Sequence, residues 1–161
     1  MSQSDTPTPS EDTEIRAVRE KDPYRALGLA VNYLMTKPAF ARLGFGHWSR
    51  ILVGQINRGH CLFFVKGGKV VGFFGWALTD REKAEKWVRG QLDLSYKDSL
   101  KGDHVLFNAW ASDSKEVVDH MKREVRKLVA GKKALYFKRF YNDGRIRPMI
   151  LSVNKFLDGH S

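Results

Sequence analysis

Few residues in this chain are of a kind that moves a proton or forms a covalent intermediate. Group transfer to an amine or hydroxyl needs either a base that takes a proton or a nucleophile that holds the group in transit. The candidates are five histidines (His47, His60, His104, His120 and His160) and a single cysteine, Cys61. His47 draws attention first. It stands in TKPAFARLGFGHW, residues 36–48, a small-residue, semi-apolar crossing between two amphipathic segments. As a base it would act from the wall of a site; as a structural or surface histidine it would only pack or face water. The histidines lack metal-ligand spacing, and a zinc set drawn from His47, His60 and Cys61 is not expected. Cys61 opens an apolar run, where a small apolar filler is the expected role. His104 begins a strand and His120 lies on a basic helix, so both are expected at the surface.

The bulk composition limits the setting. A chain of 161 residues fits one domain with a real core. No apolar stretch approaches the roughly 18 residues of a membrane span, and the polar N-terminus is unlike a secretory leader. One cysteine allows no internal disulfide, which fits a reducing, cytoplasmic compartment. The formal net charge is +10, which favours an acidic partner. The charge is concentrated: residues 119–140, DHMKREVRKLVAGKKALYFKRF, hold eight Lys or Arg against two acids. The run reads either as a solvated helix face or as a docking surface for an acidic protein.

The elements that would position these residues follow from apolar period and breakers. Residues 1–22 lack aromatics and any apolar period, and are expected to be a disordered lead-in. Asp22-Pro23 starts a helix with apolar residues at 24, 27, 31, 34 and 35, ending before Pro38. A second helix is expected over 47–55, with Trp48, Ile51, Leu52 and Ile56 on one face. HCLFFVK and KVVGFFGWAL flank Gly67-Gly68, a strong hairpin signal, and both strands are apolar enough to be covered on both faces. Asp80 caps a helix through residue 92. HVLFNAWA is a third strand, KEVVDHMKREVRKLVA a helix closed by Gly131, and KALYFKRFY with IRPMILSVNKF a final hairpin whose Pro148 requires an edge or a bulge. The plan is α+β: a single domain over 23–157, with a short tail at 158–161. A mixed, mostly antiparallel sheet is flanked by helices in the element order of acetyltransferase-like folds.

Two partner classes fit poorly. Coenzyme A-dependent acetyltransferases bind the diphosphate on a glycine-containing loop entering the helix after a central strand. Here that place reads ASDSKEVVDH, with no glycine and with Asp113 and Glu116 where a diphosphate needs bare amides. Nucleic acid is a lower alternative, because the aromatics Phe63, Phe64, Phe73, Phe74 and Trp76 lie in buried-strand texture and do not alternate with basic residues.

From Leu27 to about Phe156 the chain resembles the bacterial RTX toxin-activating lysine acyltransferases. The resemblance rests on LGLAVNYLMTKP (27–38), VVGFFGWAL (70–78), LKGDHVLFNAW (100–110), and the basic helix with its terminal hairpin. It implies an acetyltransferase-like fold (GNAT-type) and a fatty acyl chain taken from acyl-carrier protein. The acyl group would pass to lysine side chains of a polypeptide acceptor, RTX protoxins being the family's example, often by a homodimer in the cytoplasm. No permanently bound cofactor, metal or membrane span is implied. Acyl-carrier protein is small and acidic, so Lys122, Arg123, Arg126, Lys127, Lys132 and Lys133 are the expected docking residues. An acyl pocket is expected beneath Gly72, Phe74, Gly75 and Trp76, where the glycines leave room; a strand bend is the alternative reading of both.

The family's catalytic positions depart in this chain. Its histidine falls on Phe40, its following arginine on Ala41, and its aspartate on Ala109. Asn108 is one residue away, and strand alternation turns it to the opposite face unless a bulge intervenes. Three explanations stay open. His47 supplies the base from the next helix; another group such as His104 or Asp113 does so; or the chain is a non-catalytic relative that binds acyl-carrier protein or a lipidated polypeptide.

Overall fold

The computed structural model describes residues 14–141 and 143–159; residues 1–13 of the expected lead-in and residues 160–161 of the tail, including His160, lie outside the described residues. Six strands form one sheet in chain order: β1 (Arg16–Val18), β2 (Cys61–Lys66), β3 (Lys69–Thr79), β4 (His104–Ser112), β5 (Ala134–Phe140) and β6 (Ile146–Ser152). All neighbours are antiparallel except β4 and β5. The helices are α1 (Pro23–Leu34), α2 (Pro38–Ala41), α3 (Phe45–Arg58), α4 (Arg81–Val88), α5 (Lys115–Val129) and α6 (Val153–Asp158). The α+β class with a mixed, mostly antiparallel sheet is as the sequence predicts.

Local chemistry explains the boundaries. The Asp22 side chain caps α1 by accepting from Tyr24 and Arg25 amides, with Pro23 in the first turn. Gly67 and Gly68 both have positive φ, as the tight β2–β3 connection requires. Ser114 caps α5, its hydroxyl accepting from the Val117 amide at 3.3 Å.

Three expectations need correction. Residues 14–22 are not an unstructured lead-in, because Ile15 is buried and β1 pairs with Phe63–Val65 of β2. The final strand stops at Ser152 instead of running to Phe156, since the Ser152 hydroxyl accepts from the Lys155 amide and starts α6. The helix after Asp80 ends at Val88, ahead of Gly90 with φ +74.

The sheet is covered on both faces. On one, α5 presents Val117, Met121, Val125 and Val129 to Phe64, Phe74, Trp76, Val105, Phe107 and Leu135. Each such side chain, fully buried, contributes about 1.5–3 kcal/mol. On the other, α1 and α3 bury Ala26, Ala30, Tyr33, Leu34, Trp48 and Leu52 with Phe63, Phe73, Ala109 and Ala111. A third cluster joins Ala84, Trp87 and Val88 of α4 to Ala77, Leu106 and Tyr136.

Candidate active site

The parallel pair parts in the middle of the sheet. β4 and β5 are in register only from His104↔Ala134 to Phe107↔Phe137. Past that point β4 continues to Ser112 against β3 alone, and β5 continues to Phe140 against β6 alone. Among the described residues, positions 108–112 therefore have no strand on their β5 side. A strand edge with free amides and carbonyls takes an extended, amide-bearing ligand by completing the ladder. Trp110 lines this edge, 37 % exposed, stacked on Phe74 at 5.5 Å and edge-on to Phe107 at 6.1 Å.

The opening begins at a bulge. β3 pairs Gly75 with Ala109 but Trp76 with Phe107, so Asn108 is the extra residue on β4. The condition under which Asn108 would share a face with Ala109 is thus met. Ala109 packs with Phe73 and Trp48 on the α1/α3 side, and on that side Asn108 Oδ1 accepts a hydrogen bond from Gln55 Nε2 of α3. Gln55 is fully buried, and its Oε1 has no partner among the described residues. An orphaned buried acceptor of this kind costs about 1–3 kcal/mol.

Gly75 makes room for this pair. A Cβ there would fall on the Gln55 carboxamide, and one at Gly72 would strike Val117 Cγ1, with Phe64 Cβ and Met121 Sδ close by. The space both glycines leave is therefore filled by protein, and Phe74 and Trp76 are buried in the α5 core. The acyl slot expected beneath Gly72, Phe74, Gly75 and Trp76 is closed in this structure for that reason.

Phe40 and Ala109, the positions where the family resemblance implies a histidine and an aspartate, belong to one apolar cluster. Phe40 packs against the same cluster that contains Ala109, its ring 4.5 Å from that of Trp48, and its carbonyl accepts from Trp48 Nε1 at 3.3 Å. An aspartate at position 109, 3 % exposed, would be a buried charge without its histidine; phenylalanine and alanine satisfy the site as apolar packing. His47 is exposed in the first turn of α3, beside Trp48 in the chain. Eight residues, about 12 Å of helix rise, separate it from Gln55, so His47 and Asn108 are not in contact.

The other candidates fall elsewhere. Asp113 ends β4 and accepts from the Tyr33 hydroxyl at 2.8 Å and from Lys37 Nζ. Its burial raises the carboxyl pKa, but the Lys37 and Tyr33 hydrogen bonds outweigh this and hold it below the usual value. Such an acid is a weak base. Glu116 lies 3.6 Å from Lys66, so the two carboxylates at the start of α5 each face a lysine, and a diphosphate there would have to displace them from those partners. His104 is buried, contrary to the surface position expected: it packs on Tyr136 at 5.8 Å and its Nδ1 is 2.7 Å from Asp103 Oδ1. It lies at the start of β4, four residues before the opening. His120 is half-buried in a groove beside α5. His60 stacks on Trp76 and its Nδ1 accepts from Arg58 Nε at 3.2 Å; burial, then Arg58 and Arg19, push its pKa down to about 4. Burial pushes the Cys61 thiol up to about 11, against smaller opposing effects of Arg19 and Arg58, which makes it inert as a nucleophile.

The six expected docking residues differ in what they touch. Arg123, Arg126 and Lys127 line a groove of about 460 Å³ between α5 and β1, together with Ile15, Phe64 and Glu124. Lys122 is half-buried on the same helix. Lys132 instead donates to the Gly102 carbonyl at 3.0 Å, and Lys133 pairs with Asp103 at 3.1 Å. Among the described residues no group of three or more His, Cys, Asp or Glu is placed to hold a metal, and no helix is long and apolar enough to cross a membrane.

No curated protein matches the sequence at a significant level. Loosely similar solved structures include the loading GNATL domain of CurA from Lyngbya majuscula, at 11 % identity, TM-score 0.46, with 81 % of this chain and 67 % of that one covered. Another is the GphF GNAT-like decarboxylase in complex with isobutyryl-CoA, at 16 % identity, TM-score 0.48, covering 80 % and 67 %. An agmatine N-acetyltransferase variant follows at 9 % identity, TM-score 0.46, covering 86 % and 99 %. Sequence comparison with protein families is decisive: the RTX toxin acyltransferase family matches residues 19–146. With the motifs along that span, the match establishes that the chain belongs to the RTX toxin acyltransferase family, and that its class of activity is acyl transfer.

Proposed function

We propose that the protein takes a fatty acyl chain from acyl-carrier protein and passes it to lysine side chains of a polypeptide acceptor, in the cytoplasm and with no permanently bound cofactor. The observation that carries this reading is the parting of β4 from β5 at Asn108. It offers free backbone groups to a thioester arm, beside a helix start whose Asp113 and Glu116 disfavour a bound diphosphate. A carrier protein, whose arm ends in a single phosphodiester in place of coenzyme A's diphosphate and nucleotide, asks less of that helix start than free coenzyme A.

The step is aminolysis of a thioester. The lysine nitrogen attacks the carbonyl carbon, the carbonyl π pair moves to oxygen, and collapse breaks the C–S bond. The lysine ammonium must first give one proton to the base and on to solvent, since only the free amine attacks; after addition the second nitrogen proton passes to the sulfur that leaves as thiol. His47 is the proposed base. It is solvent-exposed beside Trp48, the residue that packs on position 40, and from that distance it takes only the first ammonium proton, through solvent, before the amine reaches the carbonyl. Arg123, Arg126, Lys127 and Lys122 orient the acidic carrier. Family resemblance makes an RTX-type protoxin the proposed acceptor and a homodimer the proposed assembly.

The apolar packing of Phe40 and Ala109 favours a second reading, in which acyl-carrier binding is kept and transfer lost. Intact-mass analysis after mixing the protein with acyl-loaded carrier and a lysine-rich acceptor separates the two. Transfer by the native chain, reduced severalfold in His47→Ala as expected of a base that acts through solvent, is the expected result. Transfer only by the Phe40→His, Ala109→Asp double variant would establish the second reading and remove His47 from the mechanism.

A further inference from the structure

We propose that Gln55 and Asn108 act together on the acyl carbonyl, Asn108 as the donor to its oxygen and Gln55 as the residue that positions Asn108. The inference rests on the acyl-transfer reading above but concerns residues that the family's histidine and aspartate positions do not include. Four observations converge on it. Asn108 is the inserted residue of the β4 bulge and the first residue past the last β4–β5 pair, so it stands where an arm entering between the strands meets the sheet. It is half-exposed, whereas its neighbours Phe107 and Ala109 are buried. Its Oδ1 is held by Gln55 Nε2. With the oxygen engaged, what remains for a ligand is the amide NH2, which carries two donors and no acceptor.

Gln55 is built in at some cost. It is fully buried, with Oε1 unpartnered among the described residues, in a space that exists because position 75 is glycine. A side chain present only for packing would be better as leucine. Its one polar contact fixes which end of the Asn108 carboxamide is presented. Donors fixed in advance toward the oxygen that gains charge are the usual means of lowering an acyl-transfer barrier. As the amine adds, the electron pair displaced from the C=O bond resides on that oxygen and is met by Asn108 N–H; when the C–S bond breaks the pair returns. Asn108 neither gains nor loses a proton in the cycle.

Infrared difference spectroscopy tests this without turnover. Acyl-carrier protein carrying a hexadecanoyl chain with an isotope-labelled carbonyl is bound to the native protein, to Asn108→Ala and to Gln55→Leu, with no lysine acceptor present. The expected result is a carbonyl band lowered on binding to the native protein and returned to the free-carrier position in both variants. In the intact-mass assay kcat falls roughly hundredfold in Asn108→Ala with KM little changed. An unshifted native band, or a shift retained in Asn108→Ala, overturns the proposal while leaving carrier binding intact. A shift lost in Asn108→Ala but kept in Gln55→Leu overturns the positioning role of Gln55. If Gln55→Leu does not fold, the half-exposed Asn108→Ala decides alone. Failure of the native protein to bind the loaded carrier overturns the donor reading itself, and this inference with it.

Discussion

His60 shows how a single side chain can carry a pH dependence without taking part in chemistry. Its imidazole is pressed against Trp76 and faces Arg58 and Arg19, and burial first, then those two guanidinium groups, lower its pKa from 6.5 to about 4. The unfolded chain therefore binds a proton in this window that the folded chain refuses. Stability contributed by the neutral ring is fully present above pH 6.5 and is lost as pH falls toward 4. Urea midpoints measured across that range should fall with pH in the native protein and fall less steeply in His60→Gln. The carboxyls of Asp80, Asp103 and Asp113 are themselves held below their ordinary value, so their contribution is lost at lower pH and the two windows separate. Cys61 offers a second check at this scale. Its raised pKa and burial predict labelling by a disulfide reagent at pH 8 that is slow when folded and at least a hundredfold faster in denaturant.

Among the elements, β3 concentrates the constraints. Gly72→Ala drives a methyl into Val117 of α5 with Phe64 behind it, and should destabilise by about 1–3 kcal/mol, read as a lower urea midpoint at unchanged slope. Gly102→Ala should cost at least as much, because φ is +150 and the added carbon would meet the Thr79 backbone, which has no rotamer to yield. Ser114→Ala removes the α5 cap, at about 1 kcal/mol. The elements themselves were largely legible, because α1, α3, α5 and the Gly67-Gly68 hairpin carry period and breakers within short windows. What could not be read is long-range. The three residues of β1 are too few to show alternation, and they become a strand only because β2 offers an edge. The bulge at Asn108 leaves HVLFNAWA looking like unbroken alternation; it exists through the pairing with Gly75 and Trp76. Burial of His104 depends on Tyr136, 32 residues on in β5. Of the candidate site, Asn108 was visible by its offset from a family position, whereas Gln55 reads as one more polar residue on an amphipathic helix.

For the molecule as a whole, charge sets how it meets partners. A net charge of +10, with Arg123, Arg126 and Lys127 gathered along one groove, should speed encounter with an acidic carrier at low salt and lose that advantage as salt is added. Stopped-flow association is expected to slow roughly tenfold between low and moderate ionic strength. The charge reversals Arg123→Glu and Lys127→Glu should remove most of the salt dependence and leave urea stability nearly unchanged. Lys132→Ala and Lys133→Ala, tied to the Gly102–Asp103 turn, should instead act on stability.

The edge strand β1 has a further consequence, for the order in which the molecule assembles. Its partners in β2 lie more than forty positions away in the chain, whereas β2 and β3 are joined by two glycines and β5 and β6 by a short turn. Closing the long loop removes far more chain freedom than closing either hairpin. The hairpins should therefore form early and β1 should dock last, covering Phe64 with Ile15 only at the end. Because that docking is held by three residues, it is also the first to reopen: the amides of 16–18 should exchange with solvent well before those of β3 and β4, which unpair only when the whole sheet does.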